Sequence, residues 1–170
     1  MKIVLILICG LVLIAAAVVA IGALLPKEHV ASRSASYRAT PEQLFALIAG
    51  PQNWRPDVLH WEMVPDAAGR RLTRETTRNG ETVTYEMVDS SPPYSIKRRI
   101  ATENLPYSGT WTYLIQSGGA GTIVRITENG EVYNPVFRFV SRFVIGHHRT
   151  LDAYLRALGQ ATGQEIQIKD

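Results

Sequence analysis

The chain has 170 residues, a single cysteine and a formal net charge of +3 at pH 7. One cysteine rules out an intrachain disulfide framework. So mild a charge excess argues against a nucleic-acid-binding surface.

The apolar residues are unevenly spread. Ile3 to Leu25 is uncharged and almost wholly aliphatic, and it stops abruptly at Pro26. At about 1.5 Å per helical residue the run reaches roughly 35 Å, enough for a hydrocarbon core of ~30 Å. Residues 1–26 therefore read as a retained single-pass transmembrane anchor. A cleaved signal is the competing reading, but its apolar region is shorter, and Leu24, Leu25 and Pro26 make a poor cleavage context. Lys2 flanks one end and Lys27, Arg33 and Arg38 the other, so basic residues give no clear orientation. A two-residue head before a long apolar run has the form of a signal anchor, which would place the following domain outside the cytoplasm. Residues 27–170 are the size of one domain.

A first strand is predicted from His29 to Arg38. Thr40-Pro41-Glu42-Gln43 then reads as a helix start with a capping box and a first-turn proline. Leu44, Phe45, Leu47 and Ile48 form its buried stripe, and Gly50 ends it. Residues 51–57 hold Trp54 between two prolines, as a short helix or compact turn. A strand follows from Leu59 to Val64.

Arg71 to Arg78 and Glu81 to Val88 flank Asn79-Gly80, a strong hairpin signal. A two-residue loop sets Arg74 opposite Tyr85 and Leu72 opposite Met87, on an inward face. It leaves Thr73, Glu75, Thr84 and Glu86 on a wet face. Further strands run from Tyr94 to Thr102, Thr110 to Gln116 and Thr122 to Glu128, with a turn at 117–121. Asn134-Pro135 opens a helix predicted to continue for about six turns to Gly159. Its stripe includes Val140, Phe143, His147, Leu151, Tyr154 and Leu158. The apolar segment from Pro135 to Ile145 suits either a wedge between sheet and loops or contact with a membrane, ligand or partner.

The order of elements, together with three local patterns, resembles the START-like helix-grip superfamily (SRPBCC, the polyketide cyclase/dehydrase and lipid-transport group). The patterns are Thr40-Pro41-Glu42-Gln43-Leu44-Phe45, Asn53-Trp54-Arg55-Pro56, and Gly121-Thr122-Ile123-Val124 through Glu128. The resemblance covers nearly all of residues 29–160. It implies an α+β fold: a curved antiparallel sheet of about seven strands around a long C-terminal helix, enclosing a cavity for an apolar molecule such as a lipid or polyketide.

On the faces read as inward, Arg74, Arg98 and Glu128 interrupt apolar neighbours. Burying charge is costly unless it is paired. These residues therefore position a polar group of a ligand, or form a structural Arg–Glu pair. Tyr85, Trp111 and Tyr113 would line the cavity, Trp54 its mouth, and Phe143 and His147 its helical wall.

His147 and His148 are adjacent on a helix and point about 100° apart, so they cannot chelate together; no metal or other cofactor is expected. Phosphate-loop, nucleophile-elbow and zinc-protease motifs are absent, and no catalytic residue is assigned. The expectation is a membrane-tethered module that binds a hydrophobic small molecule or lipid. A cyclase/dehydratase-type enzyme and a membrane-associated assembly protein are the alternatives.

Overall fold

The structure is a computed structural model that describes every residue except Ala120. The expected turn at 117–121 therefore lies partly outside the described residues. The first element, α1 (Lys2–Leu24), is followed by β1 (Glu28–Tyr37), α2 (Pro41–Ala49), β2 (Val58–Val64), β3 (Leu72–Thr77), β4 (Thr82–Ser91), β5 (Ser95–Ile100), β6 (Tyr107–Gly118) and β7 (Gly121–Val132). Then come α3 (Pro135–Val140), a π-helical turn (Ser141–Ile145), α4 (Arg149–Ala161) and β8 (Ile168–Lys169). The strands form one antiparallel sheet in the order β2-β3-β4-β5-β6-β7-β1-β8. The expected α+β helix-grip architecture is present, with a short eighth strand on the β1 edge.

Local chemistry sets the element boundaries. Gln43 N donates to Thr40 Oγ1 at 3.3 Å, and Thr40 N donates to Gln43 Oε1 at 3.0 Å, so the capping box starts α2 as expected. At the other end of α2, the buried Gln52 donates through Nε2 to the carbonyls of Leu47, Ile48 and Gly50. It thereby satisfies carbonyls that a helix end leaves orphaned. The same segment, 51–57, is a compact turn rather than a second helix.

The β3–β4 hairpin differs from its expected register by one residue. Thr73 faces Tyr85, Arg74 faces Thr84 and Glu75 faces Val83. Thr77 N donates to Glu81 O at 2.8 Å and Gly80 N to Thr77 O at 3.0 Å, with Gly80 at φ +87°. The loop thus holds three residues, with Gly80 supplying the left-handed conformation. A one-residue shift exchanges the two faces of a strand. Arg74 consequently lies on the outer face, half-exposed, with its Nη1 3.0 Å from Glu62 Oε1. Glu75 points inward.

The predicted long C-terminal helix is also divided. The chain underwinds into a wider turn from Ser141, Gly146 N donates to Ser141 O at 3.0 Å, and Gly146 takes φ +79°. That conformation suits glycine and ends the helix. His147 and His148 bridge the gap before α4 restarts. α4 buries Leu151, Tyr154, Leu155, Ala157 and Leu158 against the sheet. It ends at Ala161, two residues beyond the expected Gly159, with Gly163 at φ +68° just past it.

The core lies between the concave face of the sheet and the two helices α2 and α4. It contains Leu44, Ile48, Ile96, Ile115, Val124, Ile126, Leu151, Leu155 and Leu158. Tyr37, almost wholly buried, donates its hydroxyl to Leu155 O at 3.0 Å and ties β1 to α4.

Among the described residues, one helix, α1, is long and apolar enough to cross a membrane. Its side chains stand exposed except where its C-terminal end meets α3. Gly22 makes that meeting possible, because a Cβ at this position would lie 1.9 Å from Pro135 O.

Candidate ligand site

The inner face of the sheet carries a buried ion network. Glu75 is 2% exposed and Arg98 4%. Arg98 Nη2 donates to Glu75 Oε1 at 2.7 Å and to Thr73 Oγ1 at 3.0 Å. Arg55 Nη1, from the turn after α2, donates to Glu75 Oε2 at 2.8 Å. Arg55 also holds Asp57 through Nη2 at 2.5 Å. Glu75 thus has an arginine on each oxygen, and Arg55 is shared between a buried and an exposed carboxylate. Burial by itself would lower the Arg98 pKa; the Glu75 charge more than offsets it and the pKa is raised.

Aromatic rings surround this network. The Arg98 guanidinium carbon lies 4.7 Å from the Tyr85 ring centroid, and that of Arg55 lies 5.3 Å from the Tyr154 centroid. Tyr85 stacks on Trp111 at 5.8 Å, and Tyr113 and Tyr154 meet at 5.3 Å. Trp54 packs edge-on against Tyr154 at 5.3 Å and donates its indole N–H to Leu47 O at 3.0 Å. Tyr154 donates its hydroxyl to Gln52 Oε1 at 3.2 Å. Burial pushes the pKa values of Tyr85, Tyr113 and Tyr154 upward, so all three hydroxyls stay protonated at neutral pH and are able to donate hydrogen bonds.

Arg55, Trp111, Tyr113 and Tyr154 of this cluster line a cleft between the sheet and α4, together with Asp57, Thr150, Ile126, Leu151 and Ala153. Its volume is about 50 Å³. Small-molecule pockets commonly measure roughly 300–1,000 Å³. The cleft is thus much smaller than the cavity that the family resemblance implies for an apolar molecule, with Trp111, Tyr113 and Tyr154 packed around it. A broader groove of about 740 Å³ runs between α2 and the end of α4, past Arg38, Gln43, Ala46 and Gln164. It is an open surface trough with neither a buried charge nor an aromatic ring, so the cleft holds the stronger chemistry.

The structure brings Tyr85, Arg98, Trp111 and Tyr113 together, with Trp54 behind Tyr154. Arg74 is outside the cluster for the reason of register given above. Glu128 lies on the inner face but away from the arginines; its carboxylate is 3.6 Å from His29 Nε2. The buried Arg–Glu contact is made by Glu75. Phe143 is 59% exposed on the π-helical turn, against Phe139 and outside the cleft. His147 stacks on His29 at 4.0 Å, near the end of α1 and away from the cleft. Sequence reasoning missed Glu75 and Arg55. Tyr154 was legible only as a member of the helical stripe.

The histidine stack carries a pH dependence. The His147 pKa is lowered by burial first, then by His29 and Arg142, with Glu128 opposing and His148 adding slightly. A lowered value means that the unfolded chain takes up the proton more readily. This part of the stability is present above the ordinary histidine pKa of about 6.5 and is lost as pH falls through the native value. The thermal midpoint is expected to drop between pH 7.5 and 5.5 in neutral detergent, and His147→Gln is expected to flatten part of that slope. A slope unchanged in the variant would refute it.

A family model described as polyketide cyclase / dehydrase and lipid transport matches residues 28–161. The chain belongs to this family. No curated protein sequence matches it. Among solved structures, the polyketide cyclase/dehydrase chain is similar to a conserved protein from Geobacillus kaustophilus, with a TM-score of 0.65 and 13% identity over 84% of this chain and 100% of that one. It is also similar to truncated norcoclaurine synthase from Thalictrum flavum (TM-score 0.60, 12% identity, 81% and 95% covered). A third similar structure is the di-domain ARO/CYC StfQ from the steffimycin biosynthetic pathway (TM-score 0.59, 13% identity, 77% and 50% covered). At these identities the likeness establishes the fold of this family member.

Proposed function

We propose that this member of the family is a membrane-tethered module that binds an apolar small molecule or lipid bearing a polar oxygen group, in the cleft between the sheet and α4. The observation that carries the reading is the convergence of Arg55, Tyr113 and Tyr154 beside Trp111 at a cleft that Asp57, Thr150, Ile126, Leu151 and Ala153 complete. Such a site would clasp a hydrophobic body with rings and orient a carbonyl, hydroxyl or carboxylate with Arg55 and Tyr113, the Tyr154 hydroxyl proton being held by Gln52. The family, and the likeness to norcoclaurine synthase and to the ARO/CYC StfQ, support a ligand-binding use of this fold.

Admitting a ligand requires the aromatic rings to part and the start of α4 to move. Gly146 lies just before that helix, and a Cβ there would meet nothing within 4 Å.

A cyclase- or dehydratase-type enzyme would use the same tyrosines and Arg55. Binding is favoured because the tyrosines are held protonated and the two carboxylates, Glu75 and the cleft-lining Asp57, each have both oxygens engaged by arginine.

Residues 1–26 are read as the single-pass anchor, with residues 27–170 outside the cytoplasm. Three residues separate α1 from β1, so the tether keeps the cleft near the lipid headgroups.

Ala153 is exposed at the mouth of the cleft, so Ala153→Trp tests the reading without opening the core. The bulky ring should lower the amount of co-purifying apolar compound by about tenfold, in keeping with the cost of overfilling a packed site. Solvent extraction and mass spectrometry of the detergent-purified protein measure it.

A further inference from the structure

The second concentration of unusual chemistry lies at the end of α1. A pocket of about 190 Å³ sits there, lined by Pro26, Lys27, Glu28, His29, Arg138, Arg142 and others. Three cations and one carboxylate face it, which leaves an excess of positive charge. Arg138 is 9% exposed. Its guanidinium donates to the carbonyls of Leu25 at 2.9 Å, Tyr133 at 3.2 Å and Ala23 at 3.4 Å, so it clamps the end of α1 to α3. No carboxylate is among these partners, and the buried Nε has no partner among the described residues. The carbonyls at the negative end of α1 meet part of the Arg138 charge, and the exposed Arg142 and Lys27 on the same pocket add to it, so the pocket as a whole favours an anion.

The position of the pocket indicates the source of that anion. It opens where the apolar helix ends, at the depth of the headgroups once α1 spans a bilayer. Phe137, Phe143, Val144 and Ile145 stand exposed on the adjoining α3 and π-helical turn. They continue the apolar surface of α1 sideways, in the manner of an element resting at the membrane boundary.

We infer that this pocket holds the phosphate of an anionic phospholipid. The inference rests on the anchor proposed above. Arg138 and Arg142 would contact the phosphate, Lys27 would add charge from the rim, and the Phe137–Ile145 ridge would lie among the upper acyl chains. The bound lipid would thereby fix the tilt of the domain over the membrane.

The test uses the full chain in neutral detergent, with lipid adducts read by native mass spectrometry. Phosphatidylglycerol should be retained about tenfold over phosphatidylcholine. Arg142→Glu, at an exposed site away from the Arg138 clamp, should weaken that retention by about 25-fold, at roughly fivefold per unit of charge. Lys27→Glu should act in the same direction. Equal retention of the two lipids, or no response to either substitution, would overturn the inference. So would displacement of the phosphatidylglycerol by millimolar inorganic phosphate, because the ligand would then be the free anion. Flotation with vesicles of pure phosphatidylcholine separates this from the anchor: a chain that fails to float contradicts the anchor, whereas one that floats without anionic preference contradicts the pocket alone.

Discussion

Glu75→Gln is expected to lower stability by about 3–5 kcal/mol, the cost of removing one partner from a buried ion pair. The carboxylate is 2% exposed and accepts from both Arg98 and Arg55. The amide keeps the shape, yet it leaves Arg98 buried with no counter-charge. The expected drop in the thermal midpoint is about 10 °C or more. Removing the whole pair should be milder than halving it. Glu75→Leu combined with Arg98→Met leaves only Arg55, which keeps Asp57, and apolar groups of similar volume commonly replace buried pairs at little cost. The double variant should recover most of the lost midpoint. If the single change costs under about 1 kcal/mol, or the double variant is worse than the single, the network does not hold the sheet as described.

The second large effect concerns α1. The protein in its native membrane should keep residues 1–26, read as the intact mass of the mature chain, and should remain in the pellet after alkaline carbonate extraction. Val12→Arg with Leu13→Arg places two charges at the middle of the helix. At roughly 2.5–3.5 kcal/mol for each arginine, insertion should fail and the chain should shift to the soluble fraction. A mature mass lacking these residues would mean that the segment is a cleaved signal, and the tether would then have no basis.

The parts of the fold that were legible in the sequence are those decided locally. Thr40, Pro41 and Gln43 satisfy their own helix end, so the start of α2 could be read without knowing its neighbours. The apolar run of α1 and the strand series were similarly plain. The β3–β4 register was not, because Asn79-Gly80 suits a two-residue and a three-residue loop alike. The difference of one residue exchanges Arg74 for Glu75 on the inner face. With that exchange the polar centre of the site was misplaced, although Arg98, Tyr85, Trp111 and Tyr113 were set on the inner face. The break at Gly146 was hidden within an unbroken apolar stripe; a stripe reports burial, not continuity of the backbone. Arg55 carried no signal, since its partner Glu75 is 20 residues away in sequence.

The volume of the cleft could not be read from any pattern, because it depends on how Trp111, Tyr113 and Tyr154 pack against one another. It also bears most directly on function. At about 50 Å³ the cleft is small, and the proposed binding requires it to open around a guest. The shortest route to a decision is solvent extraction and mass spectrometry of the full chain purified from its own membrane, beside Ala153→Trp prepared in the same way. The account predicts one dominant apolar, oxygen-bearing compound at close to one per chain, depleted about tenfold in Ala153→Trp. Reproducible absence of such a compound, or equal amounts in both proteins, would contradict it.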